Sequence, residues 1–169
     1  MHVINPEQPL INERTNTIPI DIVHELSRPI TVDKSYCTPC PRRCDITTRR
    51  VVSHIRFVRL PTYFIVRINR TCYDVHSSTV YKNQRPVCTP ITLNMGNVMA
   101  TPCAPHRTTM QLHACIRHAG LLATSGHYTT DCFNQNRWWR FDDDSVVQCV
   151  PSFQDAVMLM YHRIENTVV

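Results

Sequence analysis

Three glycines, Gly96, Gly120 and Gly126, are all that the 169 residues contain, and two of them sit six positions apart in one stretch. A chain so poor in glycine has few places where the backbone can turn left-handed or be approached closely. The conformation around Gly120–Gly126 is therefore a specified feature of the fold. His127 follows at once, in Ser125-Gly126-His127-Tyr128, and Asp142 stands fifteen residues further on, in Phe141-Asp142-Asp143-Asp144. The fourteen residues between them fit one strand out and part of a strand back, which would bring the two side chains together. An imidazole oriented by a carboxylate is a general base for a thiol, a hydroxyl or a water. With nine histidines and thirteen acids in the chain, one such pair has little specificity by itself.

The length suits one domain or a large part of one. With 43% hydrophobic and 18% charged residues, the composition is that of a globular chain rather than a disordered one. The net charge of +5 is regional, concentrated in Arg42, Arg43, Arg49, Arg50, Arg56, Arg59, Arg67 and Arg70. Such a run could track phosphates; the simpler expectation is arginines on the solvent face of a sheet. No apolar stretch follows a basic start, and no run is long enough to span a bilayer. The expectation is a cytoplasmic or nuclear protein without membrane association. Its nine cysteines are then free thiols, metal ligands or nucleophile candidates rather than disulfides.

Periodicity places an extended lead-in over 1–15 and a short helix over Thr17–Arg28, capped by Thr17, striped by Ile18, Ile22, Val23 and Leu26, and ended by Pro29. A cysteine-rich turn, Tyr36-Cys37-Thr38-Pro39-Cys40 through Cys44, comes next. Strands are predicted over Ser53–Leu60 and Thr62–Arg70, and irregular loop with short edge strands over 71–109. Further strands are predicted over Met110–Arg117, Tyr128–Phe133, Trp138–Phe141 and Ala156–Arg163. The sum is a β-rich α+β chain with one clear helix near its start.

Four strings fall in one order: Leu112-His113-Ala114-Cys115-Ile116-Arg117-His118-Ala119-Gly120, Gly126-His127-Tyr128, Trp138-Trp139-Arg140-Phe141-Asp142-Asp143, and Val157-Met158-Leu159-Met160-Tyr161. This order resembles the histidine box of the ubiquitin-specific proteases, the papain-like deubiquitinating cysteine peptidases. That box runs L-x-A-x-x-x-H-x-G, G-H-Y, W-x-x-F-D-D and a final strand ending in an aromatic residue. Leu60-Pro61 through Asn69-Arg70 is similar to the family's L-P-x-x-L-x-x-x-L-K-R strand, with Asn69 where lysine is usual. Glu25-Leu26 and Cys37-Thr38-Pro39-Cys40 resemble its helix and second cysteine knuckle, so the likeness covers roughly 17–163.

The resemblance implies a partial catalytic domain: helix and knuckle of the fingers over 16–52, a mainly antiparallel β palm over 53–163 and a tail over 164–169. The helical thumb is missing. It implies hydrolysis of the bond after the C-terminal glycine of ubiquitin, with His127 as general base, Asp142 orienting it and Asp143 assisting. It also implies that His118, Gly120, Gly126 and Tyr128 border the channel for the ubiquitin tail. The family's nucleophile lies in a G-L-x-N-x-G-N-T-C-Y box on a helix, and nothing like it is present; the first cysteine is Cys37. The thiol is therefore expected from elsewhere, on an N-terminal half-domain encoded by a missing upstream exon, a separate gene or a larger polyprotein. Catalysis of this kind requires no cofactor. Cys37 and Cys40 could supply half of a structural zinc site, which normally needs four ligands. The alternatives are a non-catalytic ubiquitin-binding relative and a small zinc- or nucleic-acid-binding protein using Cys37–Cys44 and the arginine run. Nucleic acid ranks last, because it leaves the histidine box unexplained.

Overall fold

The computed structural model describes residues 2–4, 19–28, 30–34, 49–54, 56–103 and 107–164. Cys37, Cys40 and Cys44 lie outside them. Among the described residues, fourteen strands and one α-helix occur in the order β1 (His2–Ile4), β2 (Ile20–Asp21), α1 (Ile22–Ser27), β3 (Ile30–Lys34), β4 (Arg49–Ser53), β5 (Tyr63–Ile68), β6 (Thr71–Asp74), β7 (Thr79–Lys82), β8 (Val87–Cys88), β9 (Thr92–Asn94), β10 (Thr109–Ala119), β11 (His127–Asn134), β12 (Arg137–Asp142), β13 (Ser145–Gln148) and β14 (Ala156–Arg163). Eight strands form one sheet in the order β1-β5-β14-β10-β11-β12-β13, with β9 also paired to β10. All its pairings are antiparallel except β1 with β5. Three two-stranded pairs, β2–β8, β3–β4 and β6–β7, stand beside it. Among the described residues no helix is long and apolar enough to cross a membrane.

Alternation along the strands divides the sheet into two unlike faces. Directly opposed residues Val66, Leu159, Cys115, Asp131, Arg140 and Val147 form one row across it. This face holds the core: Phe64, Val66, Ile68, Leu159 and Tyr161 pack with Ile20, Ile22 and Leu26 and with Leu93, Met95 and Val98. Arg67, Met158, Ile116, Thr130, Phe141 and Val146 form the row one residue over, on the opposite face. That face is only partly covered: Tyr63 is 54% exposed, Tyr128 59%, Phe141 43% and Val146 53%.

Several expectations shift. The helix starts at Ile22 rather than near Thr17, because the Asp21 carboxylate caps it, accepting from the Val23 and His24 amides at 2.8 and 3.2 Å. Of its stripe, Ile22 and Leu26 are buried but Val23 is 45% exposed. The strand predicted over Ser53–Leu60 does not form across that span. Among the described residues, the Phe57 amide donates to the Val98 carbonyl and the Phe57 carbonyl accepts from the Ala100 amide, so one isolated bridge to Met99 results and Val58 stays 77% exposed. The lead-in contributes β1 to the main sheet, and β13 joins at its other edge, where four exposed residues gave no periodic signal. Arg70 leaves the solvent-facing arginine run: it is 5% exposed, whereas Arg56, Arg59 and Arg67 are exposed.

Candidate functional site

Ala119 at the end of β10 pairs with His127 at the start of β11, so residues 120–126 form the loop that joins them. The two glycines let this loop close on itself. Gly120 and Gly126 have φ of 136° and 155°, and a Cβ on Gly120 would lie 3.0 Å from the Gly126 Cα. A Cβ on Gly126 would lie 2.2 Å from the Ala119 carbonyl oxygen and 2.4 Å from His118 Nε2. Neither backbone nor the buried ring can give way by so much. Gly126→Ala is therefore expected to cost about 2–3 kcal/mol, read as a lowered urea midpoint at unchanged slope; a neutral substitution would show that the loop is not held closed.

At the other end of the β11–β12 hairpin, Gln135 and Asn136 have φ of 50° and 62° between the paired Asn134 and Arg137. Two consecutive positive φ values make the two-residue turn that matches strand twist. It fixes the register, and the register places Asp142 one pleat from His127. The His127 Nε2 to Asp142 Oδ1 distance is 2.5 Å, with both side chains about half exposed. The Asp142 hydrogen bond raises the pKa of His127, its charge adds to this, slight desolvation opposes it, and the Asp143 charge assists. Asp143 occupies the β12–β13 turn at φ 48°. The ligand atoms of His127, Asp142 and Asp143 lie within 4.8 Å of one another. Nε2 and Oδ1 are committed to each other, so the trio presents a base with its carboxylates rather than an open cation cage. Nδ1 is the ring nitrogen left to face a reacting group.

His118 and Tyr128 oppose each other on β10 and β11, with ring centroids 4.6 Å apart. Both line a cavity of about 480 Å³ together with Arg67, Arg70, Lys82 and Met158. Gly120 and Gly126 are not part of that lining; they shape the loop beside it. His118 is 4% exposed, and burial, with the charges of Lys82 and Arg70, pushes its pKa down, so it meets the cavity as a neutral ring.

Lys82 and Arg70 are site-shaping residues that sequence reasoning missed. The buried Lys82 Nζ donates to the carbonyls of His118 and Gly120, both at 2.7 Å, and so fixes the entry to the loop. The only sequence signal for it was a charged residue ending a short strand-like stretch.

None of the cysteines whose thiol pKa shifts is displaced toward the thiolate. Burial raises Cys72, Cys132 and Cys149, and takes Cys115, 0% exposed in the core row, up to about 12. Among the described residues, the one α-helix, Ile22–Ser27, carries no cysteine.

The family model described as ubiquitin carboxyl-terminal hydrolase matches residues 5–161. Ubiquitin carboxyl-terminal hydrolase 10 of Mus musculus is 25% identical over 146 residues, covering 78% of this chain and 18% of its own length. Ubiquitin carboxyl-terminal hydrolase 24 of Arabidopsis thaliana is 33% identical over 93 residues, or 54% of this chain and 16% of that protein. A solved SAGA Ubp8/Sgf11/Sus1/Sgf73 DUB module bound to ubiquitin aldehyde contains a chain similar in fold. Its TM-score is 0.65 at 16% identity, covering 95% of this chain and 35% of that one. This chain thus spans less than a fifth of those two curated relatives and about a third of the solved chain.

Proposed function

The chain belongs to the ubiquitin carboxyl-terminal hydrolase family, and we propose that it is the base-bearing palm of a thiol-dependent deubiquitinase whose nucleophile lies outside these 169 residues, on an N-terminal half of the catalytic domain. The 2.5 Å contact between His127 Nε2 and Asp142 Oδ1 carries this reading. With Nε2 turned to the carboxylate, Nδ1 takes the proton of an incoming cysteine thiol. The thiolate attacks the carbonyl carbon of ubiquitin's terminal glycine, the C–N bond after it breaks, and the imidazolium gives its proton to the leaving amine. Water, deprotonated by the same imidazole, then cleaves the thioester. Asp142 keeps the ring in the productive tautomer, and Asp143 adds negative potential beside it. The narrow glycine-ended tail lies beside the loop that Gly120 and Gly126 close, bordered by His118 and Tyr128.

Tyr63, Tyr128, Phe141 and Val146, large apolar side chains about half exposed on the face away from the core, support the need for a partner that covers them. Ubiquitin carrying a C-terminal aminocoumarin tests both parts. The purified chain alone is expected to release no fluorophore. Co-expression with the cysteine-bearing half of a relative's catalytic domain is expected to yield turnover that His127→Ala abolishes. Thiol-dependent turnover by the lone chain would overturn the claim that the nucleophile is external. Tight binding of labelled ubiquitin, with no turnover in any pairing, would favour a non-catalytic ubiquitin-binding module instead.

A further inference from the structure

The row Val66, Leu159, Cys115, Asp131, Arg140 and Val147, which runs from the core out to the exposed β13 edge, is apolar except for its adjacent Asp131 and Arg140. Asp131 is 0% exposed. Its Oδ1 accepts from Arg140 Nε at 2.8 Å, and its Oδ2 accepts from Arg140 Nη2 at 3.0 Å and the Ser152 amide at 3.3 Å. Arg117 Nε stands 3.8 Å from Oδ2. Burial opposes the charge on Asp131, but the Arg140 bonds, the Ser152 amide and Arg117 hold its pKa below the usual carboxylate range. The thiols facing this group, Cys115 on β10 and Cys149 beyond β13, are pushed up by burial and stay neutral. Stability alone does not account for such a pair, because hydrophobic residues of similar volume commonly do as well or better.

Its position does suggest a role. On one face of β12, Arg140 stands two residues before Asp142; on the same face of β11, Asp131 stands four residues after His127. Thr129 lies between His127 and Asp131, and its Oγ1 accepts from Arg117 Nη2 at 2.8 Å. The Arg140 guanidinium thus has a carboxylate on either side, and it feels the charges of both Asp131 and Asp142. Two residues along a strand is about 7 Å, within an arginine's reach. An unneutralised Arg140 would compete with His127 for Asp142.

We infer that Asp131 is a positioning residue for the His127–Asp142 pair, holding the Arg140 guanidinium away from Asp142 so that the Asp142 carboxylate is left for the imidazole. This rests on the catalytic reading of His127 and Asp142. Its test uses no turnover, so failure of that reading and failure of this one give different results.

The His127 imidazole is titrated by NMR in the full chain as wild type, Asp131→Asn, and Asp131→Asn with Arg140→Gln. Asparagine at 131 is expected to lower the proton affinity of His127 about tenfold, as Asp142 turns to Arg140. Removing Arg140 as well is expected to restore it to the wild-type value or above. An unchanged His127 titration in a folded Asp131→Asn variant overturns the inference, whatever happens to the melting temperature. Where that variant does not fold, the double variant, a neutral pair of similar shape, decides. A lowered affinity there also overturns the inference, because Arg140 no longer carries a guanidinium to divert Asp142 and Arg117 stays on Thr129 Oγ1.

Discussion

Replacing Asp142 with asparagine is expected to cut turnover of the reconstituted enzyme by about four orders of magnitude while leaving the fold intact. The amide keeps the size of the carboxylate but can present a donor to Nε2, which stabilises the wrong tautomer. It also carries no charge to balance the imidazolium that forms in each proton transfer. The change has a second signature in pH. Asp142 raises the His127 pKa through its hydrogen bond and then its charge. A group with a raised folded-state pKa adds stability that is full below its unfolded pKa and is lost as pH rises through the folded value. Wild type should therefore exceed the variant in melting temperature on the acid side of the histidine range, and the gap should close above it. With both side chains about half exposed, solvent screening keeps this stability difference small, so the kinetic effect dominates. Turnover within about tenfold of wild type would remove Asp142 from the orienting role.

What the sequence made legible here has a physical pattern. β14 is predicted with its observed bounds, and β10, β11 and β12 lie within two residues of theirs; β10 and β14 are apolar runs pressed against the core, and β11 and β12 are a largely exposed hairpin rich in aromatic residues. The His127–Asp142 pair was legible because a hairpin of fixed length joins two strands whose register one turn dictates. Elements that owe their existence to tertiary pairing were not legible. β1 forms only because β5 offers a free edge, and β13 because β12 does. Phe57 shows the converse: an alternating segment reads as a strand, but among the described residues its backbone bonds to Val98 and Ala100 yield one isolated bridge. The polar groups that shape the site escaped for the same reason. Lys82, Asp131 and Arg140 look like surface charges by composition, and only the packed sheet shows them facing carbonyls or each other.

Arg70→Met is expected to destabilise the chain by on the order of 4 kcal/mol, a large share of the roughly 5–15 kcal/mol that holds a domain folded. The guanidinium is 5% exposed and donates through Nε to the Ala156 carbonyl, through Nη1 to those of Asn83 and Arg85, and through Nη2 to that of Gln154. It thereby ties the end of β5 to the segment after β7 and to the segment leading into β14. Burial and the loss of water push its pKa down, with the charge of Asp155 opposing that. Methionine fills much of the volume but takes the arginine donor from the Ala156, Asn83 and Arg85 carbonyls, while that of Gln154 keeps the Val87 amide at 3.0 Å, and an unmet buried carbonyl costs more than the net worth of the bond it lost. Lysine should recover only part of the loss, since one ammonium cannot reproduce a planar fork directed at separate carbonyls. The damage should extend to the site. The Asp155 backbone carbonyl accepts from the His118 amide at 3.1 Å and Lys82 borders the same cavity, so loosening 154–156 frees His118 to leave the Tyr128 ring. Chemical denaturation measures the first effect, and hydrogen exchange at the His118 amide measures the second. Wild-type protection of that amide in a folded Arg70→Met chain would show that the arginine supports the loops alone and leaves the cavity wall to Lys82.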